Sequence, residues 1–395
     1  FTAIPFMLIL LALVFWLTIS GANVPSELLS QGFSALEAWM IQFFQSIHAP
    51  SWLISLLFEG IWRVLSWVVS VMLPPMAIFF PLFTLLEDLG YLPRIAFNLD
   101  KPFCKARACG KQALTMCMGF GCNAAGVTGC RIIDSPRERL IAILTNNFVP
   151  CNGRFPALIT LITIFFTGTS LFSGFFSALL LTGFILLGIL MTFLVSRLLS
   201  CTLLKGIPSS FTLELPPYRR PQIGKVLLRS VVDRTLFVLA RAIVVAAPAG
   251  LLIWILANIE TGGASLLSHF TSFLDPLGKL LGMDGVILAA FILGFPANEI
   301  VIPIMIMAYS AAGSLTELNI TQLHSLLISN GWTWVTALCT LLFFLMHWPC
   351  STTILTIGKE TRSFKWPILA FLIPTACGMC ICFLVASAAR LLGVV

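Results

Sequence analysis

The amino-acid sequence predicts an all-α polytopic membrane protein built from one N-terminal helix and two inverted-topology repeats, each with a re-entrant hairpin and a broken helix. The first observation is composition: 58% of the 395 residues are hydrophobic and only 10% are charged, which excludes a soluble globular domain. The second is that two helix-breaking motifs recur in the same order in both halves. The third is that Lys and Arg cluster in separate segments, as they do in the cytoplasmic loops of membrane proteins.

One of the recurring motifs is rich in glycine and the other contains proline. The glycine motif reads Gly119-Phe120-Gly121-Cys122-Asn123 in the first half and Gly294-Phe295-Pro296-Ala297-Asn298 in the second. The proline motif reads Val149-Pro150-Cys151 and later Trp348-Pro349-Cys350. Glycine and proline both disfavour a continuous helix, and broken helices at the bilayer midplane form the binding sites of many transporters with a duplicated core. The repetition therefore indicates a transporter.

The N-terminal region, 1–62, is predicted to hold one crossing helix at 5–20 and an amphipathic helix at 24–47. Apolar residues at helical spacing favour a position of the second helix in the membrane interface, with packing against the rest of the protein as the alternative. No Lys or Arg occurs between Gly21 and Trp62, so this region is expected outside and the N-terminus in the cytoplasm. Because the chain does not start with Met and has no signal-peptide pattern, we expect a further N-terminal part to precede it.

The first repeat, 63–200, is predicted to contain a crossing, a hairpin, a broken crossing and a returning crossing, at 63–86, 112–128, 140–170 and 174–200. The hairpin segment lies between two clusters of basic residues that both belong to the cytoplasmic side. A re-entrant hairpin places both of its ends on that side, and broken backbone at membrane depth is tolerated where it lines a protein cavity.

A basic segment at 201–236 follows and is predicted to be a cytoplasmic loop with a helix. The second repeat, 237–395, is predicted to repeat the order of the first, with elements at 243–259, 286–309, 331–357 and 366–389. Both flanks of its hairpin are nearly without Lys and Arg, so this hairpin is expected to enter from the outside. The C-terminus is then expected to be external.

The motifs and their neighbours carry side chains suited to binding a substrate within the membrane. These candidate metal ligands are Cys122, Asn123, Cys151, Asn298, Glu299, His347 and Cys350. Thiolate, imidazole and carboxylate together suit a borderline transition metal better than Mg²⁺ or Ca²⁺, which prefer all-oxygen shells. Structural alternatives stay open: each cysteine as a small buried hydrophobe, His347 as a structural histidine, and Glu299 as a cap of the broken hairpin.

Four further cysteines, Cys104, Cys109, Cys117 and Cys130, lie in or near the basic segment and the first glycine motif, and their roles stay open. Cys104 and Cys109 would suit a docking or metal-handling pair, but no His or second pair completes a zinc pattern. Gly110-Lys111 lacks the glycine spacing of a P-loop, so this chain is not expected to bind a nucleotide or to be an enzyme. The formal net charge of +7 reflects the placement of loops, and no nucleic-acid partner is expected.

Five segments carry a family resemblance: Leu86-Glu87-Asp88-Leu89-Gly90-Tyr91, Arg94 with Ala96-Phe97 and Asp100, the first glycine motif, 136–140 with Asn147, and Leu213-Glu214-Leu215-Pro216-Pro217-Tyr218-Arg219. Together they resemble the membrane part of the FeoB family of ferrous iron transport proteins. The resemblance implies Fe²⁺ uptake across a bacterial cytoplasmic (inner) membrane by a multi-pass protein with two so-called Gate regions. It also implies an iron path along the cysteines of the Gate breaks, which here match Cys122, Cys151 and Cys350.

The resemblance further implies partners. An N-terminal GTPase domain that binds GTP and Mg²⁺ is normal in the family and is absent from this chain, which is expected to hold no cofactor of its own. Small cytoplasmic Feo proteins are implied as well, and homo-oligomerisation is left open. Fe²⁺ is then the transported substrate, and the lipid bilayer surrounds the chain.

The sequence is therefore interpreted as a ferrous iron permease, with three alternatives. A nucleoside-type transporter would use the asparagines and the glutamate to bond a ribose. Another divalent metal, Mn²⁺ or Zn²⁺, would use the same ligands, and a membrane receptor would report the state of the GTPase domain without moving a solute. The chain is richer in cysteine at 104–130 than the commonest family pattern and follows Asn123 with Ala124-Ala125, which leaves metal preference open.

Overall fold

The structure is a computed structural model that describes residues 3–89, 97, 100, 103–105, 107–167, 173–206, 224, 235–316 and 318–393. Helices make up nearly all of this part of the chain. They are α1 (Ala3–Ser46), α2 (Ser51–Ile54), α3 (Arg63–Asp88), α4 (Lys111–Gly121), α5 (Asn123–Gly129), α6 (Pro136–Thr145), α7 (Phe155–Ile162), α8 (Ser173–Cys201), α9 (Phe237–Asn258), α10 (Leu266–Leu280), α11 (Gly285–Leu293), α12 (Val301–Tyr309), α13 (Ile320–Ser329), α14 (Trp334–Met346), α15 (Ser351–Thr361) and α16 (Lys365–Leu391). The strands described are β1 (Glu260–Thr261) and β2 (Ala264–Ser265), which pair antiparallel.

Six helical stretches among the described residues are long and apolar enough to cross a membrane. They are Ser51–Leu86, Pro136–Thr167, Phe176–Cys201, Leu239–Asn258, Trp334–Thr361 and Lys365–Leu391. A seventh span results if α10 and α11, which meet at a bend of 112°, are counted as one. The predicted all-α polytopic membrane protein is therefore confirmed. The inverted relation of the repeats and the sides of the termini stay predictions, and the predicted loop at 201–236 lies mostly outside the described residues.

The N-terminal region differs from the prediction, because α1 is a single helix where the sequence indicates two. It continues through Pro25 and, at 1.5 Å per residue, is about 66 Å long, so a bilayer core contains only part of it. Packing against α3 supports this continuous helix. Gly21 lets the two helices approach so closely that a Cβ there would lie 3.3 Å from Ile78. Farther along, Glu37 accepts a hydrogen bond of 2.6 Å from Arg63 at the start of α3.

Both glycine motifs interrupt helices with the same backbone conformation. Between α4 and α5, Cys122 is extended, with φ −156° and ψ 126°. Between α11 and α12, Ala297 is extended with nearly the same angles, φ −152° and ψ 126°. In each half the next residue is an asparagine that starts a helical turn. These segments are called here the first glycine break (119–123) and the second glycine break (294–300). The breaks lie where predicted, and the membrane side from which each helix pair enters stays a prediction.

The proline motifs break the two long spans in which they lie. After α6, two short 3₁₀ turns, Asn146–Phe148 and Asn152–Arg154, precede α7, and this segment is the first proline break (146–154). After α14, extended backbone leads to α15, and this segment is the second proline break (347–350). Proline has no N–H with which to continue a helical ladder. The broken helices predicted from the sequence are therefore present in both halves.

The largest buried apolar cluster joins the two halves around α11 and α14. Leu158 of α7, Phe291 of α11, and Phe343 and Phe344 of α14 are each at most 1% exposed. The ring of Phe291 lies edge-on to those of Phe343 and Phe344, with centroids 4.8 and 4.6 Å apart. Since α11 and α14 lead into the two breaks of the second half, this packing fixes where those breaks begin.

Candidate functional site

The two breaks of the second half contact each other directly. The amide of Ser351 donates to the carbonyl of Phe295 at 2.9 Å, and its hydroxyl donates to the carbonyl of Pro296 at 3.2 Å. His347 Nε2 lies 3.2 Å from Asn298 Oδ1. The second glycine break and the second proline break therefore form one structural unit.

This unit reaches the first proline break through Asn298 and Glu299. Asn298 Nδ2 donates to Cys151 Sγ at 3.9 Å. The Glu299 carboxylate packs against the α-carbon of Gly153, so closely that a Cβ there would lie 2.6 Å from its carboxyl carbon. In the described part of the chain, no other residue donates a hydrogen bond to this carboxylate. A partly buried carboxylate of this kind can accept a cation.

His347 is oriented by the end of its own helix. It is 1% exposed, and its Nδ1 lies 3.1 and 3.0 Å from the carbonyl oxygens of Phe343 and Phe344. Its ring also packs against Phe291, with centroids 4.9 Å apart. These contacts fix one ring nitrogen and direct Nε2 toward Asn298. A main-chain carbonyl that orients an imidazole in this way is usual in metal sites.

The three predicted thiols lie in one region. Cys122, Cys151 and Cys350 are near enough for each to interact electrostatically with the other two. Glu299 interacts in the same way with Cys151 and Cys350, and Cys350 Sγ contacts Thr353 Oγ1 at 3.2 Å. The thiols come from three different breaks, so both halves contribute to the region.

Asparagines connect the breaks of the first half. Asn146 Nδ2 donates to the main-chain oxygen of Asn123 at 3.1 Å. The side chain of Asn123, with its nitrogen turned toward Val149, donates to that carbonyl at 3.3 Å. Asn147 Nδ2 donates to the carbonyl of His347 at 2.6 Å, which is a bond between the two halves. With its nitrogen bound to the main chain, Asn123 has its side-chain oxygen to offer a ligand.

Arg154 is a further residue of this site, and one that the sequence motifs do not single out. It is completely buried and donates to three carbonyls of the other half, those of Leu345, His347 and Trp348, at 3.0, 3.3 and 3.2 Å. It also donates to the main-chain and side-chain oxygens of Asn147, both at 3.1 Å. A charged residue inside a predicted membrane break is a candidate for function in its own right, and the sequence contains that signal.

The predicted ligands share one region without forming a closed coordination shell. Among the residues that the structure describes, no group of three His, Cys, Asp or Glu side chains is arranged to hold a metal ion. The ligand assignment therefore stays a prediction. Two of the further cysteines make local contacts: Cys104, before α4, has its Sγ 3.5 Å from Asp100 Oδ2, and Cys130, just after α5, has its Sγ 3.3 Å from the carbonyl of Gly126.

Comparison with known families matches most of the chain. The Gate family model, described as nucleoside recognition, matches residues 69–165 and 239–364, which together are more than half of the chain. A second model, described as the C terminus of ferrous iron transport protein B, matches residues 181–233. This chain belongs to the FeoB family. All seven predicted site residues and Arg154 lie within the two matched Gate segments.

Individual relatives are also FeoB proteins. A protein of Staphylococcus aureus (strain MSSA476) named Fe(2+) transporter FeoB is 32% identical over 314 residues, which cover 78% of this chain and 45% of the relative. One of Campylobacter jejuni with the same name is 26% identical, over 99% of this chain and 64% of the relative. A fusion of Fe(2+) transport protein A with FeoB from Porphyromonas gingivalis is 26% identical, over 80% of this chain and 42% of the relative. The chain spans about half the length of these relatives, and no solved structure matches it.

Proposed function

We propose that this chain is the membrane part of a ferrous iron transporter, which carries Fe²⁺ across a bacterial cytoplasmic membrane into the cell. Membership of the FeoB family and the names of its relatives support this function. The observation that carries the proposal is the convergence of the helix breaks. It brings Cys122, Cys151 and Cys350 into one region with Glu299 and His347.

Fe²⁺ is a borderline cation for which thiolate, imidazole and carboxylate are suitable ligands together. The three thiols and the Glu299 carboxylate would supply anionic ligands, Asn123 and Asn298 would add oxygen, and His347 would add Nε2. Several of these groups are already oriented by hydrogen bonds to the main chain. The ion would then replace the present contacts around Asn298 with bonds to itself.

Transport would follow from movement of one helix pair against the other. Because the ligands belong to both halves and do not form a closed shell, a bound ion would draw the halves together. Separation of the breaks on one side or the other would then let the ion enter or leave. The extended residues at the glycine breaks give each helix pair a point at which it can change direction.

The GTPase domain of full-length FeoB proteins would regulate this movement through the cytoplasmic segments 92–139 and 205–234. In the first segment, Arg131 donates two hydrogen bonds of 2.7 Å to the carboxylate of Glu360 at the end of α15. A displacement of that segment would therefore be passed to the second half. The FeoA–FeoB fusion among the relatives supports small Feo proteins as further partners.

A nucleoside is the second candidate substrate, because the matching Gate model is described as nucleoside recognition. Asparagine and glutamate side chains at the breaks would bond ribose hydroxyls. Three thiols would add nothing to that recognition, whereas they are strong ligands for a transition metal. The donor set therefore favours the metal.

Anaerobic Fe²⁺ binding and uptake test the proposal, with the chain purified and reconstituted into sealed vesicles. Cys122→Ser and Cys350→Ser should each weaken Fe²⁺ binding at least tenfold, which is about 1.4 kcal/mol. Cys380→Ser is the matched control, because Cys380 is exposed on α16 and should bind as the wild type does.

Each outcome separates the candidates. Equal affinity in all three variants would refute the cysteine ligands. Uptake that uridine blocks and Fe²⁺ does not would favour the nucleoside, and stronger competition by Mn²⁺ or Zn²⁺ would change the metal. A chain that neither binds nor moves any of these solutes would fit the receptor alternative.

A further inference from the structure

We propose that Arg154 is the positioning residue of this site: its guanidinium joins the first proline break to the second and so sets the positions of Cys151 and Cys350 relative to each other. The consequence for metal binding rests on the proposed function, whereas the joining of the two breaks does not. Within the described residues, Arg154 makes three of its five hydrogen bonds to the other half. It lies three residues after Cys151, and its second-half partners lie two to five residues before Cys350.

Both proline breaks need hydrogen-bond donors at this point. The last four carbonyls of a helix have no partner within that helix, and an unpaired carbonyl buried in a membrane protein is costly. Leu345 lies in the last turn of α14, His347 follows that helix in extended backbone, and Trp348 comes next. The guanidinium reaches the carbonyl of each of these three residues. It also reaches the carbonyl of Asn147 in the other break, so one side chain serves both helix ends.

The two halves are not equivalent at this position. When the sequences of the two proline motifs are aligned at Cys151 and Cys350, Thr353 occupies the position of Arg154. Thr353 contacts the adjacent Cys350, and its short hydroxyl side chain cannot span a break. The second half therefore has no arginine of its own for this purpose. The single guanidinium has to cross from the first half, which makes it a connection between the repeats rather than a cap within one of them.

The charge of Arg154 is stabilised by dipoles. It is 0% exposed, and among the described residues no carboxylate forms an ion pair with it. The carbonyl end of a helix carries partial negative charge, and two such ends meet at this guanidinium. The side chains of Cys151 and Cys350 lie within electrostatic range of this guanidinium. Arg154 is thus bonded to the main chain near both cysteines that the proposed function uses, at Asn147 in the first proline break and at Trp348 in the second.

The planar shape of the guanidinium distinguishes the joining of the two breaks from the effect of a buried positive charge alone. Five N–H donors in a planar fork can bond several carbonyls at once, whereas an ammonium offers three donors from a single point. Arg154→Lys therefore keeps the charge and loses the fork, and Arg154→Gln loses both. Arg139→Lys is the matched control, because Arg139 also donates twice to a main-chain carbonyl, that of Ile133, but stays within the first half.

Hydrogen–deuterium exchange of the metal-free full chain in lipid nanodiscs tests the joining of the breaks. In the wild type, the amide of His347 is bonded to Phe343 and that of Ser351 to Phe295. Arg154→Lys and Arg154→Gln should each accelerate exchange of these second-half amides at least tenfold, although the substitution lies in the first half. Arg139→Lys should leave them unchanged. Wild-type protection of these amides in both Arg154 variants would overturn the proposal.

Anaerobic Co²⁺ titration tests the consequence for the thiols. The thiolate-to-Co²⁺ absorption band should weaken, and the Co²⁺ affinity should fall at least tenfold, in Arg154→Lys but not in Arg139→Lys. An unchanged band and affinity in Arg154→Lys would overturn the positioning of the cysteines. If wild-type protein binds no Co²⁺, the metal site of the proposed function fails, and the exchange experiment still decides whether Arg154 joins the halves.

Discussion

Replacement of Gly153 by alanine should disturb the site through a single methyl group. The φ angle of Gly153 is not positive, so its backbone accepts alanine without strain. The new Cβ would, however, lie against Glu299, 2.6 Å from the carboxyl carbon and 3.2 Å from Oε2. Carbon atoms in favourable contact are about 3.5–4.0 Å apart. The carboxylate therefore has to withdraw by roughly 1 Å from its present position.

The size of the effect follows from this displacement. Overpacking of a well-packed interior costs about 1–3 kcal/mol in the free energy of unfolding. If Glu299 is a ligand of Fe²⁺, a misplaced carboxylate should also weaken ion binding at least tenfold, which is about 1.4 kcal/mol. The loss of Fe²⁺ affinity should exceed any effect of the substitution on other sites in the chain. The three atoms nearest to the new methyl group all belong to the Glu299 carboxylate.

Anaerobic Fe²⁺ titration together with thermal unfolding measures both quantities. Gly183→Ala on α8 is the control, since nothing lies within 4 Å of a Cβ at that position. It should leave Fe²⁺ affinity unchanged and stabilise the helix by up to about 1 kcal/mol. Combining Gly153→Ala with Glu299→Asp shortens the side chain by one methylene and should recover part of the stability. Wild-type Fe²⁺ affinity in Gly153→Ala would refute the assignment of Glu299 to the metal site.

Two further outcomes are expected. Arg131→Gln should slow Fe²⁺ uptake by the full-length protein, because it removes the bidentate contact with Glu360. It should change stability by less than about 1 kcal/mol, since Arg131 is largely exposed. Uptake at the wild-type rate in this variant would contradict the coupling of the cytoplasmic segment to α15. Fe²⁺ at 100 times its Kd should raise the free energy of unfolding by about 2.7 kcal/mol, and an iron chelator should reverse the rise. A thermal melt that is insensitive to Fe²⁺ and chelator would contradict a metal site in the folded chain.

The helix breaks could be predicted from the sequence because their causes are local. A proline removes a main-chain donor wherever it lies, and glycines weaken a helix independently of their neighbours. The matching extended conformations of Cys122 and Ala297 show how similar motifs produce similar backbone in two distant segments. The identity of the residues at the breaks was therefore enough to place most of the candidate site.

The features that the sequence pattern did not predict, the continuous helix α1 and the role of Arg154, depend on packing between distant segments. The sequence indicates a boundary between two helices at 21–23, yet α1 continues through it at the point where Gly21 lies against Ile78 of α3. Arg154 lies beside a predicted ligand, but its role depends on carbonyls almost two hundred residues away in the chain. Periodicity and charge bias describe each segment by itself. Neither can show which helix ends meet.

The duplicated backbone supports side chains that differ between the halves. The first half provides Arg154 and two of the three thiols, whereas the second provides Glu299, His347 and the remaining thiol. Arg154 and an ionised Glu299 together carry no net charge, so a divalent cation would bring two uncompensated charges into a buried region, which is unfavourable. Ionisation of two thiols would restore neutrality, and thiolate is also the form in which cysteine binds a metal. In the proposed site, Fe²⁺ binding would therefore be coupled to the release of two protons from the cysteines, and any two of the three thiols could supply that balance.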